Sequence, residues 1–300
     1  MIKFIFLVLI ISYKTDNFFT MKKTKTQTSG ILTIILAGFF LLSIPACKNR
    51  TSSEGNTADR DTEKEHDSRA DVIHEISEYP LPTSFDVTKL LVEAGASYIL
   101  NLCNPVDNVN RYISLKSRAL NLGVYGADLS YAATYNQAQE TMQYLEVSHE
   151  LLTDLEIEAG FNEDMVSSIE RNIDNVDSLI YIISESFFRT YKYLASNEQD
   201  DMSILVMAGS WIEALYITTQ ISMISKDNSE IIDIIVNQNV SLEKLLEVMA
   251  PISVIDTGAD VYEGLMGLRE IYQQSGTGFS SEQLVDLINK TEELRKMIIS

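Results

Sequence analysis

Asp128, Tyr131, Tyr135, Ala138, Met142, Leu145, His149 and Leu152 recur at spacings of 3, 4, 3, 4, 3, 4, 3. That rhythm fits one stripe along an α-helix and no β-strand, whose side chains alternate with a period of two. A second stripe comes next: Met165, Ile169, Ile173, Val176, Ile180, Ile183, Phe187, Tyr191 and Leu194. Gly160 lies in the short connection and Asn162 is placed as an N-cap, with Glu163 and Asp164 in the first turn. The two stripes are therefore expected to form antiparallel neighbouring helices.

The remainder of the body reads the same way. Prolines after residue 79 stand only at 80, 82, 105 and 251, and strand alternation and Asn-Gly hairpin turns are absent. Helices are expected from Ser84 to about Cys103, Val106 to Leu122, Met202 to Ile224, Ser229 to Val236, Ser241 to Met249, and Gly258 to Gln274. A last one begins after Ser280-Ser281-Glu282-Gln283, a capping-box match. The expected fold is all-α: an antiparallel bundle or array of helical hairpins, with about 8–9 helices in a single domain over 80–300. No run in that body has the ~20 uninterrupted apolar residues of a membrane span. The triplet Gly-Ala-Asp occurs at Gly126 and Gly258, each time with a Tyr shortly after it, but no longer repeat extends from it.

The first 79 residues have a different logic. Met21 opens a segment with Lys22, Lys23 and Lys25, an apolar core from Ile31 to Leu42, then Ile44-Pro45-Ala46-Cys47. This is the three-part pattern of an export signal, so residues 1–46 read as a signal region whose expected start is Met21. Ile44, Ala46 and Cys47 resemble the lipobox of bacterial lipoproteins; Pro45 stands where Ser or Ala is usual. The resemblance implies cleavage before Cys47 and acylation of that cysteine. Its partner would then be the membrane, reached through lipid. Lys48 after the cysteine is not the Asp that marks inner-membrane retention, so the resemblance implies the outer membrane. From Lys48 to Asp71 there are five basic and seven acidic residues and almost nothing apolar. Such a segment cannot offset its ordering entropy, and 47–79 is expected to be a polar tether.

The body is also similar to uncharacterised all-helical lipoproteins of Gram-negative bacteria, through "YPLPTSFDVTKLLVEAGASY" and "LNLGVYGADLSYAATYNQAQETMQYL". That similarity carries no activity and no site residues.

Chemistry is sparse. The formal net charge is -20, and no basic cluster marks the body, which argues against nucleic acid as a partner. Glu146-Val-Ser-His149 is a Glu-x-x-His pair, but the body has a single histidine, so a di-iron constellation cannot be completed. His149 sits on the first stripe and reads as a hydrogen-bonded core residue. Only Cys47 and Cys103 exist; Cys103, in "ILNLCN", reads as a small buried group. No nucleophile elbow, phosphate loop or dinucleotide fingerprint occurs. No catalytic residue, metal site or cofactor is therefore assigned. The most informative stretch is "GVYGADLSYAATYN", where Gly123 and Gly126 permit a close approach. Asp128, Tyr131 and Tyr135 share its face. They read either as a tight helix crossing anchored by Asp128 or as a small pocket with a carboxylate and phenols. The expected function is a cell-envelope lipoprotein with a helical domain that binds or scaffolds something in the envelope, a protein partner or a small ligand. The alternative is an enzyme or small-ligand carrier using that pocket.

Overall fold

The structure, a computed structural model, describes residues 84–300 apart from 158–162, 198, 226, 227, 255, 256 and 277. Cys47, the expected signal region and tether, Gly160 and Asn162 lie outside the described residues. The described residues form nine α-helices and no strand: α1 (Ser84–Glu93), α2 (Leu115–Thr134), α3 (Ala138–Asp154), α4 (Glu163–Arg171), α5 (Val176–Ser196), α6 (Asp200–Ile224), α7 (Ser229–Met249), α8 (Ala259–Ser275) and α9 (Ser281–Ile299). Short 3-10 helices cover Val106–Arg111 and Ala250–Val254. The all-α expectation holds.

Helix ends reflect local chemistry. Ser114 accepts from the Ser117 N–H at 3.0 Å and starts α2. Asn175 does the same for Ser178 at 3.1 Å and starts α5. At α9 the Ser280–Gln283 capping box closes in both directions, at 3.2 and 2.9 Å.

Several expected boundaries are corrected, each for a local reason. The first stripe is not one helix. Asn136 takes a left-handed conformation (φ 55°), and the N–H groups of Asn136 and Gln137 return to the carbonyls of Ala133 and Ala132. This is a Schellman stop, with Asn in the place glycine usually holds. Gly95 (φ 73°) ends α1 by the same pattern, so that helix does not reach Cys103. Residues 94–114 instead run as an irregular segment containing the first 3-10 helix. The second stripe breaks over 172–175, where the Asn172 amide bonds back to the Ser168 carbonyl and Asn175 caps the start of α5. Conversely, α7 runs unbroken through Asn237–Val240. Its buried face continues from Ile231 and Ile235 through Gln238 to Leu242 and Leu245, and Ser241 receives the Trp211 indole N–H at 2.9 Å.

One apolar core serves all of these helices. Consecutive helices pack together in α1–α2, α2–α3, and each pair from α4–α5 to α8–α9. Helices α2 and α6 form the centre. Every residue of α2 from Ala119 to Ala133 is buried, and α6 is buried nearly throughout from Ser203 to Ser222. By length and composition α6 is apolar enough to cross a membrane; here most of it is enclosed by the other helices. The two helices touch backbone to backbone. A Cβ on Gly123 would lie 2.0 Å from the Val206 carbonyl oxygen, and one on Gly209 would lie 1.9 Å from that of Leu120. The roughly 1 kcal/mol each glycine costs a helix is offset by this contact. The C-terminal end of α9 is tied to the same centre, because the Asn121 amide donates to the Ile298 carbonyl at 2.7 Å.

Candidate functional site

Asp128, Tyr131 and Tyr135 leave the same side of α2 but go to two different places. Asp128 is fully buried, and its Oδ2 accepts the Asn104 N–H at 3.1 Å. Tyr131, also fully buried, accepts the Ile99 N–H on its hydroxyl at 2.8 Å and stacks on Tyr98 with ring centroids 4.7 Å apart. Tyr135 caps the end of α2; its ring meets Tyr131 edge-on at 4.9 Å and Tyr98 at 5.7 Å. The phenols thus form an aromatic trio with Tyr98, while the carboxylate points to a polar centre. Asp128 bonds a backbone amide and not a tyrosine hydroxyl.

A clasp results. Side chains of α2 hold residues 94–114 at several backbone points: Tyr131 at Ile99, Asp128 at Asn104, Tyr125 at the Pro105 carbonyl (2.9 Å) and Arg118 at the Tyr112 carbonyl (3.1 Å). The segment has no regular ladder of its own, so these bonds satisfy its backbone groups, of which the Asn104 N–H is fully buried.

The polar centre holds three residues that sequence reading passed over. Glu213 of α6 is fully buried, and Arg295 of α9 is nearly so. The guanidinium grips the carboxylate with two bonds, Nε to Oε2 at 2.7 Å and Nη2 to Oε1 at 2.8 Å, and lies 3.9 Å over the Tyr216 ring. Asn104 is the third: it donates to the Tyr112 hydroxyl at 2.9 Å and accepts from the Asn108 amide at 2.7 Å. One signal for Glu213 did exist. A lone carboxylate in "ILVMAGSWIEALYI" demands a buried partner.

Burial pushes the Asp128 carboxyl well above the usual carboxylate range; Glu213 pushes it the same way and Arg295 pulls it back. For Arg295 itself, burial opposes the charge, and the Glu213 carboxylate outweighs that, raising it further. Burial likewise pushes up the Cys103 thiol and the phenols of Tyr98, Tyr125, Tyr131 and Tyr144; Tyr135 reaches about 12. A buried thiol pushed upward is a poor nucleophile, since the thiolate is the reactive form. Cys103 is buried as expected. His149 is not: it is exposed, as is Glu146, because α3 turns Thr141, Tyr144, Leu145, Ser148, Leu151 and Leu152 inward instead. Among the described residues, no group of three His, Cys, Asp or Glu side chains is placed to hold a metal.

No family model, no curated protein and no solved structure matches the chain.

Proposed function

We propose that the chain is a lipid-anchored protein of the cell envelope, attached at the outer membrane through Cys47, whose helical body binds or scaffolds a protein partner. The observation that carries the reading is in the sequence: Lys22, Lys23 and Lys25, an apolar core, Ile44-Pro45-Ala46-Cys47, then a charged tether. Acyl chains on Cys47 would supply the anchor at about 0.8 kcal/mol per buried methylene, enough for stable attachment once two or more chains insert. Binding is favoured over catalysis by how the α2 side chains are used. Oδ2 of Asp128 and the Tyr131 hydroxyl are spent on the backbone of residues 94–114.

A small-ligand site at Asp128, Tyr131 and Tyr135 is the second reading. It draws on one observation: Asp128 Oδ1 and the Tyr135 hydroxyl are buried with no hydrogen-bond partner at ordinary distance among the described residues.

Metabolic labelling tests the anchor. Wild-type protein grown with clickable palmitate is expected to carry the label and Cys47→Ala to lack it. Equal labelling of the two would end the lipoprotein reading.

A further inference from the structure

Two carboxyl groups and one guanidinium meet at the polar centre, and the guanidinium is already committed. Both Glu213 oxygens are taken by Arg295. Asp128 meets only neutral donors, the Asn104 N–H and the Cys103 thiol, faces the Glu213 carboxyl, and is fully enclosed. With both acids ionised, the centre would hold one uncompensated negative charge out of reach of water. Such a charge is costly enough that a buried acid normally keeps its proton instead.

The groups facing Asp128 come from every side. Helix α6 supplies Glu213 and α9 supplies Arg295. Segment 94–114 supplies Tyr98, Cys103 and Tyr112; α2 itself supplies Tyr125, and α3 supplies Tyr144. Helices α1 and α5 bring Ser84 to Ser130 and Phe187 to Gly126, one turn or less along α2. The phenols and the thiol are pushed upward by burial, so they stay neutral near pH 7. Only Glu213 and Arg295 then bring charge, and they cancel.

We propose that Asp128 holds a proton in the folded chain at neutral pH, so that folding takes up a proton and the fold loses stability as the pH rises. The sign comes from linkage. In the unfolded chain an aspartate titrates near ~3.9. Its folded titration lies higher, so between the two the folded state binds the extra proton. The contribution is complete below the ordinary carboxyl range and is lost as the pH climbs toward the folded titration. The folding constant falls by up to tenfold per pH unit across that window.

Asp128→Asn keeps the shape of the neutral acid and an oxygen for the Asn104 N–H, but cannot titrate. Urea unfolding of the full wild-type and Asp128→Asn chains, side by side from pH 5 to pH 8, gives the ratio of their folding constants. Groups common to both chains cancel in that ratio. We expect it to fall at least tenfold, in favour of the variant, as the pH rises. A smaller change overturns the proposal. If Asp128→Asn does not fold, the wild type decides by infrared difference between the folded and heat-unfolded chain at neutral pD. A carboxylic-acid C=O band in the folded chain supports the proton at Asp128, and its absence overturns it.

Discussion

Gly209→Ala is expected to destabilise the fold by more than ~3 kcal/mol, at or beyond the upper end of ordinary overpacking. Against a native stability of about 5–15 kcal/mol this is a large loss. The added Cβ would sit 1.9 Å from the Leu120 carbonyl oxygen and 2.8 Å from its carbon. Both are backbone atoms in the buried stretch of α2, so no side chain can rotate away, and α2 and α6 would have to separate. Gly123→Ala meets the same obstacle from the other side, with the Ser210 nitrogen at 2.6 Å as well as the Val206 oxygen. Gly126→Ala is the informative comparison, because its Cβ would strike the Phe187 ring, 2.4 Å away, and a ring can turn. The expected order of stability is wild type, then Gly126→Ala, then Gly123→Ala and Gly209→Ala. Helix propensity alone predicts the reverse, since Gly→Ala gains roughly 1 kcal/mol in an unhindered helix. Urea midpoints monitored by circular dichroism separate the two. A Gly209→Ala chain as stable as wild type would show that α2 and α6 do not touch at the backbone.

That crossing also shows what the sequence could reveal. Gly123 was readable as a point of close approach because a helix tolerates glycine poorly without a reason. Its partner was not: nothing in "LVMAGSW" says that Gly209 faces Leu120 and not some other helix. The same division runs through the site. Helix type was legible in the 3-4 spacing, which reports which residues share a face. Helix ends depended on single side chains. Asn136 in a left-handed turn, and Asn172 with Asn175, stop helices whose apolar stripes continue across the break. A stripe is blind to such stops. It also mislabelled His149, because the stripe was carried across the break at Asn136, where the face that is buried changes. Asp128 was legible as a carboxylate in need of a partner. That its partners are Asn104, 24 residues earlier, and a centre built from α6 and α9 is a consequence of topology, which spacing does not encode.

Arg295→Met is expected to cost about 3–5 kcal/mol, the range for breaking a buried pair from one side. The loss does not measure attraction alone. Removing the guanidinium strands the Glu213 carboxylate, which is fully buried and has both oxygens committed to Arg295. The stacking of the guanidinium on Tyr216 is lost too. If stranding dominates, neutralising the survivor should repair most of the damage. The double variant Glu213→Gln with Arg295→Met is therefore expected to be more stable than Arg295→Met by several-fold in the folding constant at the least. Arg295→Lys should fall between wild type and Arg295→Met: it keeps the charge, but an ammonium cannot reproduce the two parallel bonds. Added salt should not move these differences, because screening acts on exposed pairs and hardly on enclosed ones. Surface pairs such as Lys290 with Glu293 provide the contrast; they are exposed, and removing them should change stability by less than ~1 kcal/mol. Thermal and urea unfolding of the series decide between the two accounts. A double variant no more stable than Arg295→Met would mean that the pair is held for its packing against Tyr216 and α2, with the charge on Glu213 incidental. A clear rescue would identify Glu213 as the charge that fixes α9 against α6, and with it the floor on which Asp128 and the clasp rest.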